Sequence, residues 1–124
     1  MNTANTANTA VNTRALEERL AASERTLVII TAEWCGHCHA LIPEIQKIKD
    51  FFKNHTNTAK FEHVDYATVE PSFLSTLGVN AFPTIILTKF GETYTEYQGA
   101  RAYSSIVNFA TSTSMLGPPV IKKK

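Results

Sequence analysis

Leu27-Val28-Ile29-Ile30 is a continuous apolar run, and a few residues beyond it lie the chain's only two cysteines, Cys35 and Cys38. They stand at the head of a segment with helical periodicity. A short run that is apolar at every position and rich in β-branched residues reads as a strand buried on both faces. After it, Leu41, Ile45, Ile48 and Phe52 fall on one stripe of a helix from about Cys35 to Phe52. Pro43 lies inside that helix and should kink it. A strand buried on both faces needs cover above and below, so this junction points to an α/β sheet with helices on both sides.

The rest of the chain fits that frame. Residues 14–24 form a helix in which Leu16 and Leu20 share a face, and residues 59–64 form a second strand. A short helix is expected from Thr68 to Leu77, with Pro71 near its first turn and Gly78 past its end. Thr84-Ile85-Ile86-Leu87-Thr88 reads as another buried strand. Gly91 then marks a turn into Thr93-Tyr94-Thr95-Glu96-Tyr97, short enough to imply an antiparallel hairpin. A last helix spans about Arg101 to Ala110, with Tyr103, Ile106, Val107 and Ala110 on one face. The order α-β-α-β-α-β-β-α predicts one mixed sheet of about four strands flanked by helices on both faces.

A length of 124 residues suits one domain. It is expected to cover 14–112, between a disordered Asn-Thr-Ala leader at 1–13 and a flexible tail at 113–124 that carries Gly117-Pro118-Pro119. A net charge of +1 offers no field for nucleic acid or an anionic membrane. No apolar run approaches the roughly 18 residues that span a bilayer. MNTANTANTA lacks the basic start and greasy middle of a secretory signal, so either the chain stays in the cytoplasm or a signal lies outside this sequence; a monomer is expected. Two cysteines this close suggest chemistry rather than a disulfide scaffold.

A helix N-terminus offers free N–H groups and the positive end of a dipole, and both favour a thiolate. Cys35, at the strand-to-helix junction, is therefore the attacking thiol. His37 would help as a donor or a cation, Gly36 would leave the approach open, and Trp34 would cover one side. Cys38 is one turn on, where the two sulfurs can close a disulfide. It should be the more buried thiol and resolve the mixed disulfide. A zinc site has ingredients in Cys35, His37, Cys38 and His39, with His55 and His63 as loose candidates. Neighbours on one helical turn point in different directions, however, and a closed site wants four well-aimed ligands. No metal and no bound cofactor is expected beyond the Cys35–Cys38 couple itself.

Ala32-Glu33-Trp34-Cys35-Gly36-His37-Cys38 resembles the active-site run of the thioredoxin superfamily, in the form found in its protein disulfide isomerase branch. Pro43 is similar to that family's kink proline, and Val79-Asn80-Ala81-Phe82-Pro83-Thr84 to its cis-proline segment. Tyr97-Gln98-Gly99-Ala100-Arg101 and Ile106-Val107-Asn108-Phe109 resemble its final strand and helix. The resemblance implies a thioredoxin fold over about residues 14–110 and a cis Pro83 facing the sulfurs. It further implies that Phe82 pairs its backbone with an extended substrate, and that Arg101 can swing toward Cys38 and lower its pKa.

Two positions depart from the family. Ile29 stands where a buried carboxylate is usual, and His63 where the isomerase branch often has a lysine. Proton transfer at Cys38 is then expected to be slower, or to run through water, His63 or Arg101, and Ile29→Glu to speed release of the mixed disulfide. The implied function is disulfide exchange with protein substrates, leaning to oxidation or isomerisation. The alternatives are a reductant recharged by thioredoxin reductase or glutathione, and a non-catalytic binding module.

Overall fold

The structure, a computed structural model, describes residues 8–112. The elements in chain order are α1 (Thr9–Ala21), β1 (Thr26–Thr31), α2 (Gly36–Asn54), β2 (Lys60–Asp65), a 3-10 turn (Tyr66–Thr68), α3 (Pro71–Leu77), β3 (Thr84–Lys89), β4 (Glu92–Glu96) and α4 (Tyr103–Ser112). The strands form one sheet in the order β2-β1-β3-β4. β1 pairs parallel with β2, while β3 is antiparallel to both β1 and β4. The mixed four-stranded sheet with helices on both faces is the architecture expected from the pattern of apolar runs.

β1 is buried at every position. Its side chains nonetheless alternate between two cores, as a pleat requires. Leu27 and Ile29 join Leu41, Ile45, Ile48 and Ile106 under α2 and α4. Val28 and Ile30 join Leu16, Leu20, Phe73, Leu74 and Leu77 under α1 and α3. The continuous apolar run is thus two period-2 stripes superposed.

α1 corrects the expected boundary of the leader. It begins at Thr9, so residues 9–13 are helical rather than disordered. Polar tethers hold these turns, not an apolar stripe. Asn12 Nδ2 donates to the Thr68 carbonyl at 3.0 Å. Thr13 is buried; its Oγ1 donates to the Thr9 carbonyl and accepts the Glu70 N–H, each at 2.8 Å. Hydrophobic periodicity cannot register such bonds. Residues 1–7 and the tail at 113–124 lie outside the described residues.

The helix expected over Thr68–Leu77 is split, because Pro71 starts α3 at its first position and the 3-10 turn ends before it. Gly78 caps α3 in the left-handed region (φ 85°), where a side chain would be strained. The β3–β4 hairpin turns on Phe90 and Gly91, both with positive φ, as a two-residue turn with the twist of the strands needs. α4 starts at Tyr103, whose N–H donates to Glu44 Oε1 at 2.7 Å and so fixes it against α2.

Candidate active site

Because β1 and β2 are parallel with Thr31 opposite Asp65, the segments leaving their C-terminal ends emerge side by side. β3 runs the other way with Thr84 opposite Ile30, so its entry, Phe82-Pro83, reaches the same edge. Three segments therefore converge on the head of α2. Cys35 is the N-cap of that helix, in extended backbone (φ −95°, ψ 115°). Its Sγ accepts the Cys38 N–H at 3.2 Å, and its S–H donates to the Phe82 carbonyl at 3.6 Å. The Phe82–Pro83 peptide is cis. Cys35 and Cys38 are 7% and 2% exposed and pack with Ala32, Tyr66 and Phe82.

The two thiols have opposite electrostatic environments. Cys35 lies below the ordinary thiol range, chiefly because the Cys38 side chain hydrogen-bonds to it. Desolvation opposes this, while the backbone N–H groups of Cys38 and His37 and the charge of Arg101 reinforce it. Cys38 is pushed up to about 11, first by burial and then by its bond to Cys35, against smaller opposing effects of the Ala32 backbone and Arg101. One sulfur is thus poised as a nucleophile while the other is held as a thiol. Iodoacetamide at pH 7 should label Cys35 at least about tenfold faster than Cys38. The rate at Cys35 should rise with pH about a midpoint below the roughly 8.5 of a free thiol. Peptide mass spectrometry reads both; equal labelling would contradict the division of roles.

Three aromatic rings border the dithiol. Trp34, 67% exposed, stands edge-on to Tyr66 and Phe82 with centroids 5.8 and 5.7 Å away, and its Nε1 donates to Tyr66 Oη at 3.2 Å. Tyr66 and Phe82 are 5.1 Å apart. Tyr66 was missed at the level of sequence. The signal was available: once β1 and β2 are taken as parallel neighbours, the residue that follows Asp65 must sit beside the segment that follows Thr31.

The other sequence-predicted residues fall as follows. His37 is exposed and acts on Cys35 through its backbone N–H. A Cβ added at Gly36 would meet nothing within 4 Å, so the approach there is open. Arg101 is exposed, and its charge favours the thiolate form of both sulfurs. Two histidines weighed as metal ligands are engaged elsewhere: His55 stacks on Phe51 (4.0 Å), and His63 Nε2 lies 2.9 Å from Thr31 Oγ1. Among the described residues no group of three or more His, Cys, Asp or Glu side chains is arranged to hold a metal ion. Ile29, in place of the usual carboxylate, is fully buried beneath α2.

A nucleophilic thiol at a helix N-cap, a buried partner one turn on and an apolar rim define a domain of the thiol–disulfide oxidoreductase class. The chain belongs to the thioredoxin family, whose model matches residues 7–112. It is 39% identical over 94 residues to the protein disulfide-isomerase of Oryctolagus cuniculus, covering 74% of this chain and 18% of that protein. To the probable protein disulfide-isomerase ER-60 of Schistosoma mansoni it is 37% identical over 86 residues, covering 69% of this chain and 18% of that one. The chain thus spans about a fifth of the curated relatives it matches. Among solved structures, the first thioredoxin domain of mouse protein disulfide-isomerase A4 matches with a TM-score of 0.71 at 25% identity, over 88% of this chain and 79% of that one. No helix among the described residues is long and apolar enough to cross a membrane.

Proposed function

We propose that this chain exchanges disulfides with protein substrates through Cys35 and Cys38, leaning toward oxidation or isomerisation. The observation that carries the reading is the position of the Cys35 sulfur. It caps α2 and accepts the Cys38 N–H at 3.2 Å, so the helix end stabilises its thiolate while burial keeps Cys38 protonated. Cys35 would attack a substrate disulfide, and Cys38 would then displace the substrate and close the Cys35–Cys38 bond. Oxidation of a substrate is the reverse sequence. The exposed Trp34, with Tyr66 and Phe82, offers an apolar contact for an unfolded or extended chain. The resemblance to protein disulfide-isomerases supports the lean. In the reducing direction glutathione or a thioredoxin reductase would reduce the Cys35–Cys38 disulfide again; in the oxidising direction a disulfide such as oxidised glutathione would re-form it.

Equilibration of the couple in glutathione buffers tests this reading. A potential near the roughly −180 mV of protein disulfide isomerase is expected. A value near thioredoxin's, about −270 mV, would instead make the chain an electron donor, because about 30 mV corresponds to a factor of ten in the equilibrium constant. Insulin reduction coupled to a reductase gives the same distinction kinetically.

A further inference from the structure

Before its sulfur can attack, Cys38 must lose a proton. At pH 7 a thiol held near 11 is ionised in only about one molecule in 10⁴. A base within reach would relieve this shortage. A cavity of about 220 Å³ opens beside Cys38, between the head of α2 and the ends of β1 and β2. Its lining includes Cys38, Thr31, His63 and Asp65, with Glu33 and His39. It has room for several water molecules at about 30 Å³ each. The sheet register explains the grouping. Thr31 pairs with Asp65, and His63 is two residues before Asp65, so all three side chains leave the same face. There His63 Nε2 lies 2.9 Å from Thr31 Oγ1, which makes a hydroxyl bridge between the imidazole and the cavity.

From this juxtaposition we infer that His63 is the proton acceptor for Cys38, reached through cavity water and the Thr31 hydroxyl. The inference rests on the disulfide-exchange reading above. In the step, the Cys38 S–H proton passes to the imidazole as its sulfur attacks Cys35. The Cys35–substrate S–S bond breaks, the Cys35–Cys38 bond forms, and the substrate sulfur leaves as a thiolate with the electron pair. The dithiol is oxidised by two electrons and the substrate disulfide reduced. His63 acts through the water and hydroxyl without touching the reacting sulfurs, so it is a positioning residue for the proton.

The surroundings suit a neutral base. Desolvation lowers His63 from the ordinary imidazole value, Asp65 raises it and Lys49 of α2 lowers it again. His63 therefore gives up its proton more readily than an ordinary imidazole, which favours the neutral form. Two other groups that face or charge this region, His39 and Arg101, are poorer choices. His39 and His63 are both exposed, but the His39 ring is tied to the Glu33 carbonyl while His63 meets the Thr31 hydroxyl, and Arg101 has no acceptor at all.

The test follows the glutathione mixed disulfide at Cys35 after reduced protein meets excess oxidised glutathione, by acid quench and intact mass. In the wild type its decay should speed up through an inflection below pH 6.5, as His63 becomes neutral, and then level off through neutrality. His63→Gln should decay on the order of 10²-fold more slowly at pH 7, with no inflection and about a tenfold rise per pH unit as Cys38 itself ionises. Asp65→Asn, which keeps an oxygen for the Ala67 N–H, should move the inflection to lower pH; a merely structural role for His63 would leave it in place. His39→Gln should keep the wild-type profile. A wild-type profile in His63→Gln, or loss of the inflection in His39→Gln, would overturn the assignment. If neither the adduct nor the Cys35–Cys38 disulfide forms in the wild type, the exchange reading falls, and this one with it.

Discussion

With Cys38 replaced by serine, the first exchange should proceed and the second should not, so protein and substrate accumulate joined through Cys35. The hydroxyl can still donate to the Cys35 sulfur, and the backbone N–H at position 38 that lies 3.2 Å from it is retained. The nucleophile therefore keeps its stabilisation while the resolving group is lost. Steady-state reduction of insulin should fall on the order of 10³-fold or more, as expected when one member of a catalytic unit is removed. Non-reducing gels should show the covalent complex. Cys35→Ser should behave differently: the remaining thiol is 2% exposed and held near 11, so no complex should form at neutral pH. Equal trapping by the two variants would mean that the sulfurs are interchangeable and the division of roles is wrong.

Much of this site was legible in the sequence because its logic is local. An apolar run that ends just before a dithiol fixes where the strand stops and the helix starts, and the helix end fixes which sulfur is activated. Gly78, Pro71 and Gly91 punctuate the chain for steric reasons that act over a few residues, and each marks a boundary in the structure. What escaped was set by contacts across the chain. The first turns of α1 are polar and repetitive, and they are helical because Asn12 and Thr13 bond to the segment around Thr68–Glu70. Tyr66 belongs to the site only through the parallel pairing of β1 and β2. His63 was visible as a departure from a family pattern, but its link to Cys38 required the register and the cavity. Hydrophobic period reports which face is buried; it carries no information about which polar groups meet there.

Ile29→Glu should be severely destabilising, for reasons that bear on how this chain manages without the usual acid. Ile29 has no exposed surface and packs in the cluster of Leu27, Leu41, Ile45, Ile48 and Ile85. It does not line the cavity beside Cys38 and lies in the apolar cluster, so a carboxylate there would enter hydrocarbon, with His63, its partner across the sheet, as the polar side chain beside it. The expected loss at pH 8 is about 4 kcal/mol or more, the range typical of an unpaired buried charge. That is about a quarter or more of the 5–15 kcal/mol available to a domain of ordinary stability.

The sign of the pH dependence separates this cause from simple loss of packing. A buried carboxyl stays protonated in the folded state, with its pKa raised above the roughly 4.3 of the unfolded chain. The folded state then binds the extra proton, so stability falls as pH rises from about 4.3 toward the raised value, by up to about 1.4 kcal/mol per unit. Ile29→Ala, with an expected cost of about 2–5 kcal/mol, should show no such slope. Urea titrations of the two variants at pH 4 and pH 8 measure the difference. The kinetic gain expected of Ile29→Glu at Cys38 is read independently, from decay of the glutathione adduct. A glutamate tolerated at pH 8 as well as at pH 4 would mean that its charge is compensated in place, by water or by the His63 side chain opposite it, and that Ile29 is not closed off as its burial implies.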